Sequence, residues 1–136
     1  MANYKIEDVE GIGPVIGEKM RACGVKDTDS LLEATCTPAQ RKELAEKTGL
    51  AEAQVLKFAN MVDLFRVKGV GSEYSELLEA AGVDTVPELA RRNPANLTQA
   101  MAAVNEEKKL VRRLPTEAEV TRWIEEAKTL PRKLEY

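Results

Sequence analysis

The chain has 136 residues, 43% of them hydrophobic, with 20 basic and 23 acidic side chains and a net charge of −3. That length suits one compact domain or two very small ones, and the apolar content is enough for a core, which sets disorder aside. No apolar run nears the roughly 18 residues of a membrane span, and the opening Met1-Ala2-Asn3-Tyr4-Lys5 lacks the apolar block of a signal peptide, so a cytoplasmic protein without membrane contact is expected. Histidine is absent and there are only two cysteines, which excludes histidine-based catalysis and a four-ligand zinc site built from these residue types.

In chain order, every predicted element is a helix. Pro14 suits the first position of a helix that Gly24 stops, and Ile16, Met20 and Cys23 share its apolar face. Thr37 followed by Gln40 has capping-box spacing, and Gly49 ends the helix over 41–47. Val55, Phe58, Ala59, Val62 and Phe65 form the stripe of the longest helix in the first half, although Ala51 is a poor N-cap for it. Tyr74, Leu78 and Ala81 line the next helix, stopped by Gly82. Thr85 with Glu88 and Thr116 with Glu119 mark two further capping boxes, and Val120, Trp123, Ile124 and Ala127 make the last stripe. No segment alternates apolar and polar residues over a strand's length, so the expected fold is all-α.

The chain repeats itself. At an offset of 58, Val9, Gly11, Gly13, Glu18, Ala22, Gly24, Val25 and Leu31 recur as Val67, Gly69, Gly71, Glu76, Ala80, Gly82, Val83 and Leu89. Further on the offset is 65, where Val55 and Phe58 match Val120 and Trp123, so the second copy carries extra residues. Two repeats are expected, 1–66 and 67–136, with no Ser/Gly/Pro linker between them. Trp123 and Phe58, matched in the repeat, are expected in the core, and so is Cys23, whereas Cys36 falls in a turn.

Each copy has an apolar residue, then Gly-apolar-Gly, then a helix start: Val9-Glu10-Gly11-Ile12-Gly13-Pro14 and Val67-Lys68-Gly69-Val70-Gly71-Ser72. The glycines permit positive φ and close backbone approach, and the helix that follows begins with unpaired N–H groups, a setting that suits a phosphate. These residues resemble the helix-hairpin-helix superfamily over 6–24 and 66–82. More widely, 5–14, 83–89 and 111–115 look like the uncharacterised bacterial family catalogued as domain of unknown function 4332. The resemblance implies two pseudo-symmetric helix-hairpin-helix subdomains, of about five short helices each, packed into one compact unit. It also implies that the hairpins grip the DNA backbone without reading bases. The candidate nucleic-acid contacts are Gly11, Ile12, Gly13, Val15 and Lys19 in the first copy and Lys68, Gly69, Val70, Gly71 and Ser72 in the second.

The charges pull the other way. Where hairpins of that superfamily commonly carry Lys or Arg, two residues past the second glycine, this chain has Val15 and Glu73. Residues 1–66 hold 9 basic and 11 acidic side chains and residues 67–136 hold 11 and 12, so neither half is basic. The one concentrated positive run, Lys108-Lys109-Leu110-Val111-Arg112-Arg113, is read as a solvated helix face or a phosphate patch. Duplex affinity comes chiefly from neutralised phosphates, so any DNA binding is expected to be weak and confined to the backbone. The alternative is a helical adaptor that binds a protein or itself, its hairpins serving only to turn the chain. No nucleophile accompanies a base, and Glu7-Asp8 and Glu125-Glu126 point about 100° apart on a helix, so neither catalysis nor a cofactor or metal is expected.

Overall fold

Glycine and proline punctuate this chain, and the helices fall between them. In a computed structural model, which describes residues 3–136, the protein is all-α. A 3-10 turn at Ile6–Asp8 leads into α1 (Pro14–Ala22), α2 (Thr28–Glu33), α3 (Pro38–Thr48) and α4 (Glu52–Leu64). Then come α5 (Ser72–Ala80), α6 (Val86–Ala90), α7 (Pro94–Lys108) and α8 (Glu117–Ala127). No strand forms among the described residues; Lys5 and Asp27 make an isolated antiparallel bridge.

The chain divides into two compact units, one of residues up to Asp63 together with Lys133–Tyr136, the other Leu64–Arg132. The first contains the 3-10 turn and four α-helices. The second contains four α-helices, one element fewer than the expected five, because residues 65–69 form turns instead of a 3-10 helix. The backbone bonds at the two places nevertheless match: Val9 N–H to Ile6 O and Ile12 N–H to Val9 O in one, Val67 N–H to Leu64 O and Val70 N–H to Val67 O in the other.

Helices α1 and α5 end alike. Gly24 and Gly82 take positive φ, with Gly24 N–H bonded to Arg21 O and Val25 N–H to Met20 O, and Gly82 N–H to Glu79 O and Val83 N–H to Leu78 O. These are Schellman closures, which favour a residue without a Cβ at the left-handed position. At helix starts, Thr37 with Gln40 and Thr116 with Glu119 form reciprocal capping boxes. Asp27 with Ser30 forms a third, and the bonds from the Ser30 backbone N–H and hydroxyl hold the Asp27 carboxyl below its ordinary range. Asn93 caps α7. Thr85 makes no side-chain cap; Pro87 in the first turn presets the short helix α6 instead. The Lys108–Arg113 run is not a helix face. Lys108 is the last residue of α7, and Lys109 leaves the helix at φ 52°, so the rest of the run is irregular chain.

In the first unit the 3-10 turn and α3 pack against α1, and Ile6, Met20, Leu31, Val55 and Phe58 are buried. In the second, α8 packs against α6 and α7 and α7 against α5, around Leu77, Leu78, Leu97, Met101 and Trp123. Cys23 is half-buried and not in the core, because it lies past the last turn of α1 as the cap residue before Gly24; Cys36 is also half-buried, and neither thiol is in a disulfide.

Two glycines separate strain from space. Gly11 has φ +94°, and a Cβ there would lie 3.1 Å from the Phe58 ring, so Gly11→Ala should cost about 1–2 kcal/mol from the left-handed backbone alone. Gly17, inside α1, would drive its Cβ onto the end of Glu7, which pairs with Arg21. That pair is exposed and contributes little, and alanine recovers about 1 kcal/mol in helix propensity, so Gly17→Ala should destabilise the protein less than Gly11→Ala does. Urea unfolding of both variants checks the contrast, and equal losses would overturn it.

Candidate functional site

The hairpin tips are set by glycine and fixed by an aromatic ring. In the first unit, Gly11 lies against Phe58 of α4; in the second, Gly69, at φ +91°, lies with its missing Cβ 3.2 Å from Trp123 Nε1 of α8. Between the glycines, Ile12 and Val70 are buried, so they anchor the tips and their side chains are not available to a ligand. Gly11, Gly13, Val15, Lys19, Lys68 and Gly69 are exposed, and Gly71 and Ser72 are half-buried. Val15 and Lys19 lie four residues apart on α1 and so share a face, which places a cation one turn beyond the tip.

Gly13 and Gly71 are the N-caps of α1 and α5, with extended backbone and no side chain to bond the first-turn amides. The carbonyls of both glycines still start the helices, accepting from Gly17 N–H at 2.8 Å and Ser75 N–H at 2.9 Å. This sets them apart from α2, α3, α7 and α8, whose starts are all closed by a side-chain oxygen. The first-turn amides of α1 and α5, Val15 and Ile16 in one and Ser72 and Glu73 in the other, thus stand at an open tip carrying the positive end of a helix dipole.

The surroundings of the second tip are charged in both senses. Lys68, Gly69, Glu119, Arg122, Trp123 and Glu126 line a cleft of roughly 410 Å³. Both carboxylate oxygens of Glu126 accept from the Lys68 backbone N–H at 3.2 Å, so α8 holds this tip with an anion. By the offset that matches Phe58 to Trp123, Glu126 corresponds to Met61, which has no oxygen to offer, so the first tip lacks this tie. Tyr74 connects the cleft to the basic run. Its ring lies 5.2 Å from Trp123, its hydroxyl donates to Arg113 O, and Arg113 Nη1 donates back to that hydroxyl. Arg113 also pairs with Glu119 at 2.6 Å. Arg113 is therefore near α5, yet its charge is already answered by a carboxylate. Sequence reading missed this network, because its members are 39 and 6 residues apart and no local pattern joins them.

Among the described residues, no group of three or more Cys, Asp and Glu side chains is placed to hold a metal ion, and no helix is long and apolar enough to cross a membrane.

Arg113, and then the Thr116 backbone N–H, bring the Glu119 carboxyl from an ordinary 4.5 down to about 2. A depressed folded value means that Glu119 stabilises the fold above the ordinary carboxylate range and that this contribution drains away as pH falls toward the folded value. Glu119→Gln should therefore melt at a lower temperature than the parent near neutral pH, and the gap should narrow as pH drops from about 4.5 to about 2. Parallel melting curves across that window would contradict the pairing.

The family model described as Domain of unknown function (DUF4332) matches residues 10–130. No curated protein and no solved structure matches the chain.

Proposed function

Because the chain belongs to the family Domain of unknown function (DUF4332), whose description assigns no activity, we propose a function from geometry: a non-catalytic cytoplasmic binding module that contacts the phosphate backbone of duplex DNA weakly and without sequence preference. The observation that carries this is the pair of helix starts, at Gly13 and Gly71, that follow a Gly-x-Gly tip and have no side-chain cap, whereas α2, α3, α7 and α8 are capped by a side-chain oxygen. Amide groups at a helix start favour an anion through both hydrogen bonding and the dipole. The resemblance to helix-hairpin-helix hairpins supports the same reading. The tips differ in charge: the first has Glu10 beside Gly11 and Lys19 a turn along its helix, and the second has Lys68 and Arg122 against Glu73 and Glu126.

A second reading, a helical adaptor for a protein partner or for self-association, draws on Val15. It is 67% exposed at the position where phosphate-gripping hairpins carry a cation, and an apolar side chain there suits a protein surface better than a phosphate.

Titration of short duplex DNA at several salt concentrations distinguishes the two. Contact with about two to four phosphates gives a slope of log affinity against log salt of about −2 to −4, and affinity at physiological salt no tighter than micromolar. Glu73→Lys removes a repulsion and adds an attraction, and should strengthen binding by about 1 kcal/mol, roughly fivefold. No binding at low salt, with Glu73→Lys equally inert, would remove the nucleic-acid reading and leave the adaptor.

A further inference from the structure

The face of α8 beside the second tip carries donors that the fold itself does not use. Glu119, Arg122, Trp123 and Glu126 recur at helical spacing and so share one face, which lines the cleft of roughly 410 Å³ together with Lys68 and Gly69. Trp123 is 4% exposed, yet its indole N–H meets no acceptor among the described residues. A buried tryptophan ordinarily gives that hydrogen to a partner. Here Nε1 lies beside Gly69, 3.2 Å from where a Cβ would sit, and the tilted ring of Tyr74, 5.2 Å away, holds the indole in that setting. The Lys68 ammonium and the Arg122 guanidinium are exposed, and neither makes a hydrogen bond or an ion pair among the described residues. The two carboxylates of the cleft are already engaged. Glu119 pairs with Arg113 at 2.6 Å, and both oxygens of Glu126 accept from the Lys68 backbone N–H at 3.2 Å. The cleft thus offers two cations and one neutral N–H, none of them answered from within the chain.

We propose that this cleft is a binding site for a single phosphomonoester group, held by Trp123 Nε1–H, Arg122 and Lys68. Two cations match the charge of a phosphomonoester near neutral pH, and the indole N–H supplies a directed bond to one of its oxygens. Glu119 and Glu126 lie about one helical turn to either side of Arg122 and Trp123, so a further phosphate in line would meet a carboxylate. That bracketing suits an isolated phosphate and opposes a continuous backbone. By the offsets that align the repeats, Lys68, Arg122 and Trp123 correspond to Glu10, Lys57 and Phe58, so the first copy has one cation of the two, an acid for the other and no indole N–H. The site belongs to the second copy alone. The same chemistry comes from two sources, a free phosphorylated small molecule or the phosphorylated end of a nucleic-acid strand. The cleft uses side chains and not the first-turn amides of α5, so it does not rest on the duplex-backbone reading, and either can fail alone.

Trp123 is the sole tryptophan, so a single indole N–H resonance reports on the cleft. Titrating methyl phosphate into the full chain should move that resonance together with the backbone amides of Lys68 and Gly69, with half-saturation at about millimolar concentration. Sodium chloride at the same ionic strength should leave all three in place. Arg122→Gln and Lys68→Gln change exposed side chains and should each weaken binding about tenfold. Trp123→Phe installs the ring that the first copy uses, and should weaken binding about fivefold, read from the Lys68 and Gly69 amides. Glu126→Gln keeps an acceptor for the Lys68 backbone N–H while removing a negative charge, and should strengthen binding about threefold. Far-UV circular dichroism confirms that the helices persist in each variant.

Short duplexes with terminal phosphates or terminal hydroxyls identify the source. An indole shift at about tenfold lower concentration with the phosphorylated duplex assigns the cleft to a strand end. A shift with methyl phosphate and none with the phosphorylated duplex assigns it to a free phosphomonoester. Equal shifts from the two duplexes would overturn the isolated phosphate and point to internal backbone contact. No movement with either phosphomonoester, or affinity unchanged in both Arg122→Gln and Trp123→Phe, would overturn the site.

Discussion

A glycine facing an aromatic ring is the contact on which each hairpin depends. Gly11 meets Phe58 and Gly69 meets Trp123, each glycine at positive φ and each ring within 3.1 to 3.2 Å of where a Cβ would sit. The glycine allows the turn, and the ring fixes where the turn ends. Because the ring belongs to α4 in one unit and α8 in the other, the helix furthest along each repeat sets the position of its first turn. Ile12 and Val70, buried beside these contacts, leave only backbone at the tips. A hairpin built this way presents backbone amides at the start of the following helix, and the proposed anion contact draws on those amides.

The two tips differ in how their charges are already satisfied. Around Gly69, Glu126 accepts from the Lys68 amide and Glu119 pairs with Arg113, which in turn bonds Tyr74. Around Gly11, Glu7 pairs with Arg21 on the far side of α1 and leaves Lys19 without a carboxylate bonded to it. Local pairing of this kind offsets the charge of Arg113, so the cations that the second cleft presents are Lys68 and Arg122. The replacement of Phe58 by Trp123 also adds an indole N–H to the second cleft, a donor the first unit lacks.

Much of the fold was legible because its determinants are local. Gly24 and Gly82 stop helices by a backbone requirement that only two or three neighbouring residues set, and Thr37 and Thr116 cap by contacts three residues away. Helix α7 was not read, although it is the longest at 15 residues, because Leu97 and Met101 are its only fully buried side chains and its alanines blur the stripe. Its start was available in Asn93-Pro94, a cap followed by a proline at the first helical position. Thr85 shows the opposite error, a correct spacing without the bond. At the candidate site, the glycines could be found from sequence, but the ties of Glu126 to Lys68 and Tyr74 to Arg113 span 58 and 39 residues and could not. The packing of 133–136 is more distant still, Arg41 and Glu135 being 94 positions apart.

That distance shapes how the protein can be made. Leu134 adds to the core of a unit whose first stretch ends at Asp63, so about seventy residues must be synthesised between that stretch and this side chain. On a ribosome, the first unit emerges with an unfilled pocket and a buried arginine short of one of its carbonyl acceptors. The stretch from Leu64 to Arg132, contiguous in sequence, has no such gap and can close around Trp123 as soon as α8 appears. The order of folding then runs against the order of synthesis: the half translated first is finished last, and through that interval it remains the more open target for proteases and chaperones.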